Sequence, residues 1–263
     1  MTGTAIPLRV GWRGRPATLL ASLVPFALLL AAWQAMALSG AFPAQVMVPP
    51  ATVAATLLRL ASDGELARHV GDSLSRLLLG YAAGALAGLA FGATLALSRW
   101  VEAAFAPLFH TLWQVPVIAF VPVLILFLGI DEGFKITVVA VAAFFPIALA
   151  AFDAIRGVPA GFFEVARVYR TRLPDLIRRI LIPATVPAVL VGLRIGIIRA
   201  WVVLVAAELL AADSGIGQMM EMGRQMFQID VVLAGVLVSG VIGFALDRAA
   251  RAVEARATRW QRA

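Results

Sequence analysis

Six stretches of about 20 mostly apolar residues, joined by shorter polar links, constrain this chain more than any other feature. They run roughly over Ala17–Leu38, Leu74–Leu97, Ala104–Leu128, Phe134–Ile155, Thr185–Leu210 and Val231–Ala250. Wound as an α-helix, a run of that length matches the hydrocarbon thickness of a bilayer. Backbone groups in lipid must find partners within the protein, so helices are the expected spanning form. No alternating ten-residue pattern points to a barrel. Composition agrees, with 62% hydrophobic and 14% charged residues, against about 45–50% and about 25% in soluble domains. The chain therefore reads as an all-α integral membrane protein. One transmembrane domain of about six helices covers residues 1–263.

The net charge of +7 does not point to nucleic acid, because the arginines cluster in links beside apolar runs. With the N-terminus inside, fifteen Lys and Arg residues fall in inner segments and five in outer ones. That bias predicts cytoplasmic termini. Arg9, Arg13 and Arg15 precede the first run as in a secretion signal, but the run is long and no small-residue cleavage site follows. It is expected to stay as a first span.

Within the spans, three features stand out. Gly80, Gly84, Gly88 and Gly92 recur every four residues and share one helix face. Small residues at that spacing let a second helix approach closely, which predicts a packing face. Pro107, Pro116 and Pro122 interrupt the third span. Broken backbone is tolerated where neighbours or a cavity supply partners, so this span, with Gln114, is a candidate lining for a pathway or a kinked packing helix. Arg194 lies about ten residues into the fifth span, where a guanidinium costs about 2.5–3.5 kcal/mol on insertion scales. Trp201 and Glu208 share its helix face, while Arg199 points elsewhere. This face is expected to turn toward a pore or dimer axis, with Arg194 either contacting an anion or pairing with another helix.

The links add more. Residues 39–73 begin with a Pro-rich stretch and continue with helical periodicity through Val53, Leu57 and Leu60, as a surface helix would. His69 falls in that outer helix; with His110 as the only other histidine and no cysteine, no zinc site is expected. Met219, Met220, Met222 and Met226 read as a soft docking surface or as the apolar face of a short helix. The inner link, about 156–183, is longer than a connection needs. Phe162, Val165, Ala166 and Tyr169 make one apolar face there, and Glu164, Arg167 and Arg170 a charged one. Such an amphipathic helix either fits a groove on a partner or lies on headgroups.

This link resembles the E-A-A-x3-G-x9-I-x-L-P loop of binding-protein-dependent ABC transporter permeases. Glu164, Ala166, Ile180 and Pro183 stand at matching spacing, with Val165 and Ile182 as substitutes. Arg170 replaces the glycine that lets the backbone turn sharply, which puts a regular turn in question and adds a charge. Further matches run in order: His69-x3-Ser73-Leu74-x-Arg76; Gly129-Ile130-x-Glu132-x2-Lys135; Gly192-Leu193-Arg194-Ile195-Gly196; Leu204-Val205-Ala206-Ala207-Glu208-Leu209; Ser214-Gly215-Ile216-Gly217. The series covers about Val48 to Trp260 and is similar to the nitrate, sulfonate and taurine branch.

The resemblance implies a MetI-like type I importer fold in a bacterial inner membrane. It implies a pore of two permease chains, most simply a homodimer. Two separate ATPase subunits would bind the ATP and magnesium, and a periplasmic or lipoprotein binding protein would deliver a small anion. Glu164, Val165, Ala166, Arg167, Tyr169, Arg170, Ile180 and Pro183 would form the coupling contact. The chain itself has no G-x4-G-K-[ST] loop and no constellation for catalysis, so it is expected to be no enzyme, without metal or cofactor. The alternative is an ion-gradient-driven secondary transporter or channel, although no inverted repeat is visible.

Overall fold

The computed structural model describes residues 16–43 and 46–261. Arg9, Arg13, Arg15 and Arg262, which entered the charge bias, lie outside the described residues. The helices are α1 (Pro16–Leu38), α2 (Pro50–Ser62), α3 (Glu65–Leu97), α4 (Arg99–Trp113), α5 (Val121–Leu128), α6 (Glu132–Arg156), α7 (Ala160–Val168), α8 (Leu173–Leu176), α9 (Ile182–Leu210), α10 (Ile216–Gln225) and α11 (Ile229–Ala257).

The centre of the bundle is α3 against α6, held close because the four glycines carry no side chain. A Cβ built on Gly80 would lie 2.6 Å from the Ile136 carbonyl oxygen, and one on Gly88 2.7 Å from that of Phe144. On Gly84 or Gly92 it would overlap the carbonyl of Ala140 or Ala148. Backbone touches backbone, as small residues at four-residue spacing allow in membranes. The partners rise together along both helices, so α3 and α6 run parallel. The chain between them must therefore travel back along the whole bundle. On the adjoining face of α6, Gly196 meets Ile147 and Gly192 meets Ala150 in antiparallel order, which seats α9.

Residues 98–131 make the return, but not as the single helix expected over Ala104–Leu128. α4 and the stretch Val117–Leu128 meet at 95°. Pro116 has no N–H, and its ring disfavours a helical residue before it. The last turn tightens accordingly: Gln114 and Val115 donate to Thr111 and Leu112 three residues back, at 3.2 and 3.1 Å. A 3₁₀ turn, Val117–Phe120, then leads into α5. α4 docks through stacked rings, Phe109 on Phe145 and Trp113 on Phe145, with centroids 5.5 and 6.0 Å apart.

Among the described residues four unbroken helical stretches are long and apolar enough to cross a membrane, or five with the bent pair counted as one. In α1 the described apolar stretch is the shorter Leu23–Leu38. α2 is the surface helix expected after the Pro-rich stretch. It buries Val53, Thr56 and Leu60, and Thr56 donates to Asp230 on α11 at 2.6 Å.

Candidate translocation path and coupling segment

The far end of α9 carries a closed polar network. After Leu210 the chain turns through residues 211–215 into α10, whose first N–H groups have no partners within the helix. Side chains supply them. Gly215 N–H donates to His69 Nδ1 at 3.1 Å, Ile216 N–H to Ser73 Oγ at 2.9 Å and Gly217 N–H to Glu208 Oε2 at 3.0 Å. The Ser73 hydroxyl donates in turn to Glu208. Arg76 then ties three helices together. Its guanidinium donates to Glu208 at 2.9 Å, to both Glu132 oxygens at 2.6 and 2.7 Å, and to the carbonyl and hydroxyl of Ser214. Lys135 adds a bond to Glu132 at 3.0 Å. Gly215 has φ +109, and a Cβ there would collide with the Glu208 carboxylate. The glycine is required both by its backbone angle and by the close approach.

The expectation for the Arg194–Trp201–Glu208 face is corrected on this geometry. Glu208 is fully buried in the network and does not share an open surface with Arg194. Trp201 is buried too; its Nε1 donates to the Ser239 carbonyl at 3.1 Å and fastens α9 to α11. Arg194 faces α11, where Nη1 lies 3.3 Å from Glu254 Oε2, without the alignment of a hydrogen bond. Of the two roles left open for Arg194, the interhelical pair is the one present. The helix wheel failed here because three inward angles lead to three different neighbours.

A mostly apolar cleft that holds an arginine and a glutamine lies instead at the break between α4 and α5. A cleft of about 400 Å³ is lined there by Trp113, Gln114, Phe145, Ile198, Arg199 and Val202, among others. Arg199, read from the sequence as pointing elsewhere, stacks on the Trp113 ring at 4.8 Å to the centroid. Phe145 and its neighbour Ala142 sit at the middle of α6, roughly 15–20 Å from its first residue at 1.5 Å per residue.

The inner link folds as expected in outline. α7 follows Pro159 and presents Phe162, Val165, Val168 and Tyr169 outward, while Ala166 is buried. Glu164, Arg167 and Arg170 are exposed beside them. The sharp turn is made in spite of Arg170, which adopts φ +48. Thr171 N–H reaches the Ala166 carbonyl at 2.9 Å across it, the pattern that usually places glycine at this position. Before Pro183 the helix passes through a π turn, Ile177–Leu181, with the Ile182 N–H bonded to the Ile177 carbonyl. The ladder shifts by one residue just ahead of a proline that cannot donate. Ile180 is half-buried in that turn. On α10, Met219 and Met220 are core and Met222 and Met226 are exposed. Beside them, the Arg224 guanidinium holds the Glu221 carboxyl down at about 2.

Sequence reasoning missed two things. The motifs at His69–Arg76, Glu132–Lys135, Glu208 and Ser214–Gly217 were read in series but form one network. The signal was present, since each places a charge or hydroxyl beside an apolar span. It also passed over Arg199, the second arginine inside the same span as Arg194.

Comparison with known proteins follows the same lines. SsuC of Bacillus subtilis (strain 168), a permease protein named for aliphatic sulfonates transport, is 37% identical over 235 residues, covering 89% of this chain and 85% of the relative. The taurine transport system permease protein TauC of Escherichia coli (strain K12) is 32% identical over 260 residues, 96% of this chain and 94% of its own. A structure of the MetNI methionine ABC transporter in inward-facing conformations aligns with TM-score 0.57 at 21% identity, covering 72% of this chain and 95% of that one; it speaks for the fold alone. Residues 80–259 match the family described as binding-protein-dependent transport system inner membrane component. This chain is a member of that family, a multi-pass membrane subunit of ABC-type transport systems.

Proposed function

We propose that the chain is the pore-forming permease of an ATP-driven importer for small sulfonates, driven through residues 156–183 by a separate ATPase. The observation that carries this reading is the α7 segment, which holds its apolar face and Glu164 outward on a folded turn. An exposed amphipathic helix of this kind fits a groove on another protein. The names of the relatives, for aliphatic sulfonates and taurine, supply the substrate class. The arginines of this segment support a cytoplasmic side for it and for both termini. A second copy would complete the pore, two ATPases would dock on the two α7 segments, and a binding protein would meet the opposite end. Binding and release of ATP by the partner would push α7, and the continuous stretch Leu173–Leu210 would carry that displacement into the bundle.

The test is purification of the chain from its native membrane in mild detergent, with co-purifying proteins identified by mass. Recovery of an ATPase subunit, lost on Glu164→Arg, is the expected result. Recovery of the chain alone, with uptake that survives ATP depletion but not collapse of an ion gradient, overturns the reading in favour of a secondary transporter.

A further inference from the structure

Resting on that reading, we propose that the cleft at the α4–α5 break is a binding site for the anion in transit. Arg199 is its cation, and the preferred ligand is an alkanesulfonate that carries no amino group.

Arg199, exposed on the single chain, differs from Arg76 and Arg194 of the membrane helices. Arg76 and Arg194 each have a carboxylate partner, whereas Arg199 makes no ion pair among the described residues. It lies at the depth of the middle of α6, where an ionisable group without a partner marks a pathway. Its guanidinium rests face-on against Trp113. That contact holds the cation in place and leaves its N–H edge open to an oxyanion. The backbone beside it is broken at Pro116, and broken backbone at membrane depth belongs where it lines a cavity. Gln114, at the break, brings a carboxamide into the same cleft.

The rest of the lining selects the ligand. A sulfonate needs a cation and donors for its three oxygens, and its chain needs apolar walls. The cleft offers one guanidinium, one carboxamide, and Phe145, Ile198 and Val202. No carboxylate is among the lining residues. The ammonium of an aminoalkanesulfonate such as taurine would come close to the Arg199 guanidinium, with no carboxylate among the described lining residues to offset that repulsion. The site therefore distinguishes two substrates that the names of the relatives leave side by side.

The test uses cells lacking this chain and complemented with it, measuring uptake of ³⁵S-labelled ethanesulfonate and taurine, with membrane level and subunit association followed in parallel. Arg199→Gln is expected to reduce ethanesulfonate uptake at low concentration at least tenfold in assembled transporter, and Arg199→Lys to stay within about threefold of the parent. Gln114→Glu, which adds a carboxylate to the cleft, is expected to cut ethanesulfonate uptake about tenfold and to shift the ratio toward taurine. If Arg199→Gln does not reach the membrane, that ratio decides. Parental uptake by assembled Arg199→Gln, or an unchanged ratio in Gln114→Glu, overturns the proposal. So does loss of uptake in Arg199→Gln solely through loss of subunit association, which makes Arg199 a contact between two copies. Failure of the parental chain to restore any sulfonate uptake overturns the functional reading itself, a separate outcome.

Discussion

The two ends of α9 are built on opposite principles. At the end leading into α10, the first N–H groups of that helix have partners within the chain: His69, Ser73 and Glu208 take them, and Arg76 joins α3, α6 and α9. At the end preceding α9, Phe162, Val165, Val168 and Tyr169 stand exposed, Glu164 has no ion pair among the described residues, and Arg170 holds a left-handed backbone. The first end is complete in one chain. The second keeps an apolar face open and a left-handed turn in place, the surface on which the proposed docking of an ATPase would draw.

Substitutions measured by unfolding of the purified chain in mixed detergent should separate the two ends. The largest effect is expected from Glu208→Ala, which leaves Arg76, the Ser73 hydroxyl and the Gly217 N–H buried without their acceptor; breaking such a pair costs about 3–5 kcal/mol. Glu132→Gln is the control. Its carboxylate is 56% exposed, and pairs in contact with solvent contribute about 0–1 kcal/mol. Equal losses from both would show that burial is not what makes the network matter. Next comes Gly84→Ala. Its methyl would meet the Ala140 carbonyl, and overpacking of that kind costs about 1–3 kcal/mol. The same substitution at Gly161, in the open α7 segment with nothing near it, should cost nothing and stabilise by up to about 1 kcal/mol through the lost freedom of the unfolded chain.

At the open end the expected effects are smaller. Arg170→Gly removes a left-handed side-chain cost of about 1–2 kcal/mol, offset in part by the freedom glycine gains when unfolded. Slower amide exchange at Thr171 is the expected sign, and faster exchange would mean that Arg170 stabilises the turn by other contacts. Glu164→Arg should change unfolding least, within about 0.5 kcal/mol as for exposed positions, while abolishing co-purification with an ATPase. A large loss of stability from Glu164→Arg would erase the contrast between the ends.

Much of this arrangement was legible in the residues. The glycine series in α3 announced a close helix contact, because glycine every four residues serves little else in lipid. The prolines of the third span announced a break, and the alternation of apolar and charged residues over 160–170 announced α7. The partners in each contact were not legible. Arg194 and Glu208 share a wheel face, yet one reaches Glu254 and the other Arg76, because α9 leans on different helices along its length. Arg170 argued against a regular turn, and the turn formed because the helices on either side demand it.

The sequence by itself determined the solvent of this protein and its units: apolar lengths set the spans, and the placement of glycine, proline and charge set which faces pack, break or remain open. Only the tertiary structure decided which charges of the spans neutralise one another and which one has no ion pair among the described residues. The physical reason is range. Hydrophobic length and backbone angles act along a few neighbouring residues, whereas the pairing of Arg76 with Glu208, 132 residues apart, and the seating of Arg199 on Trp113 depend on how whole helices come to lie side by side.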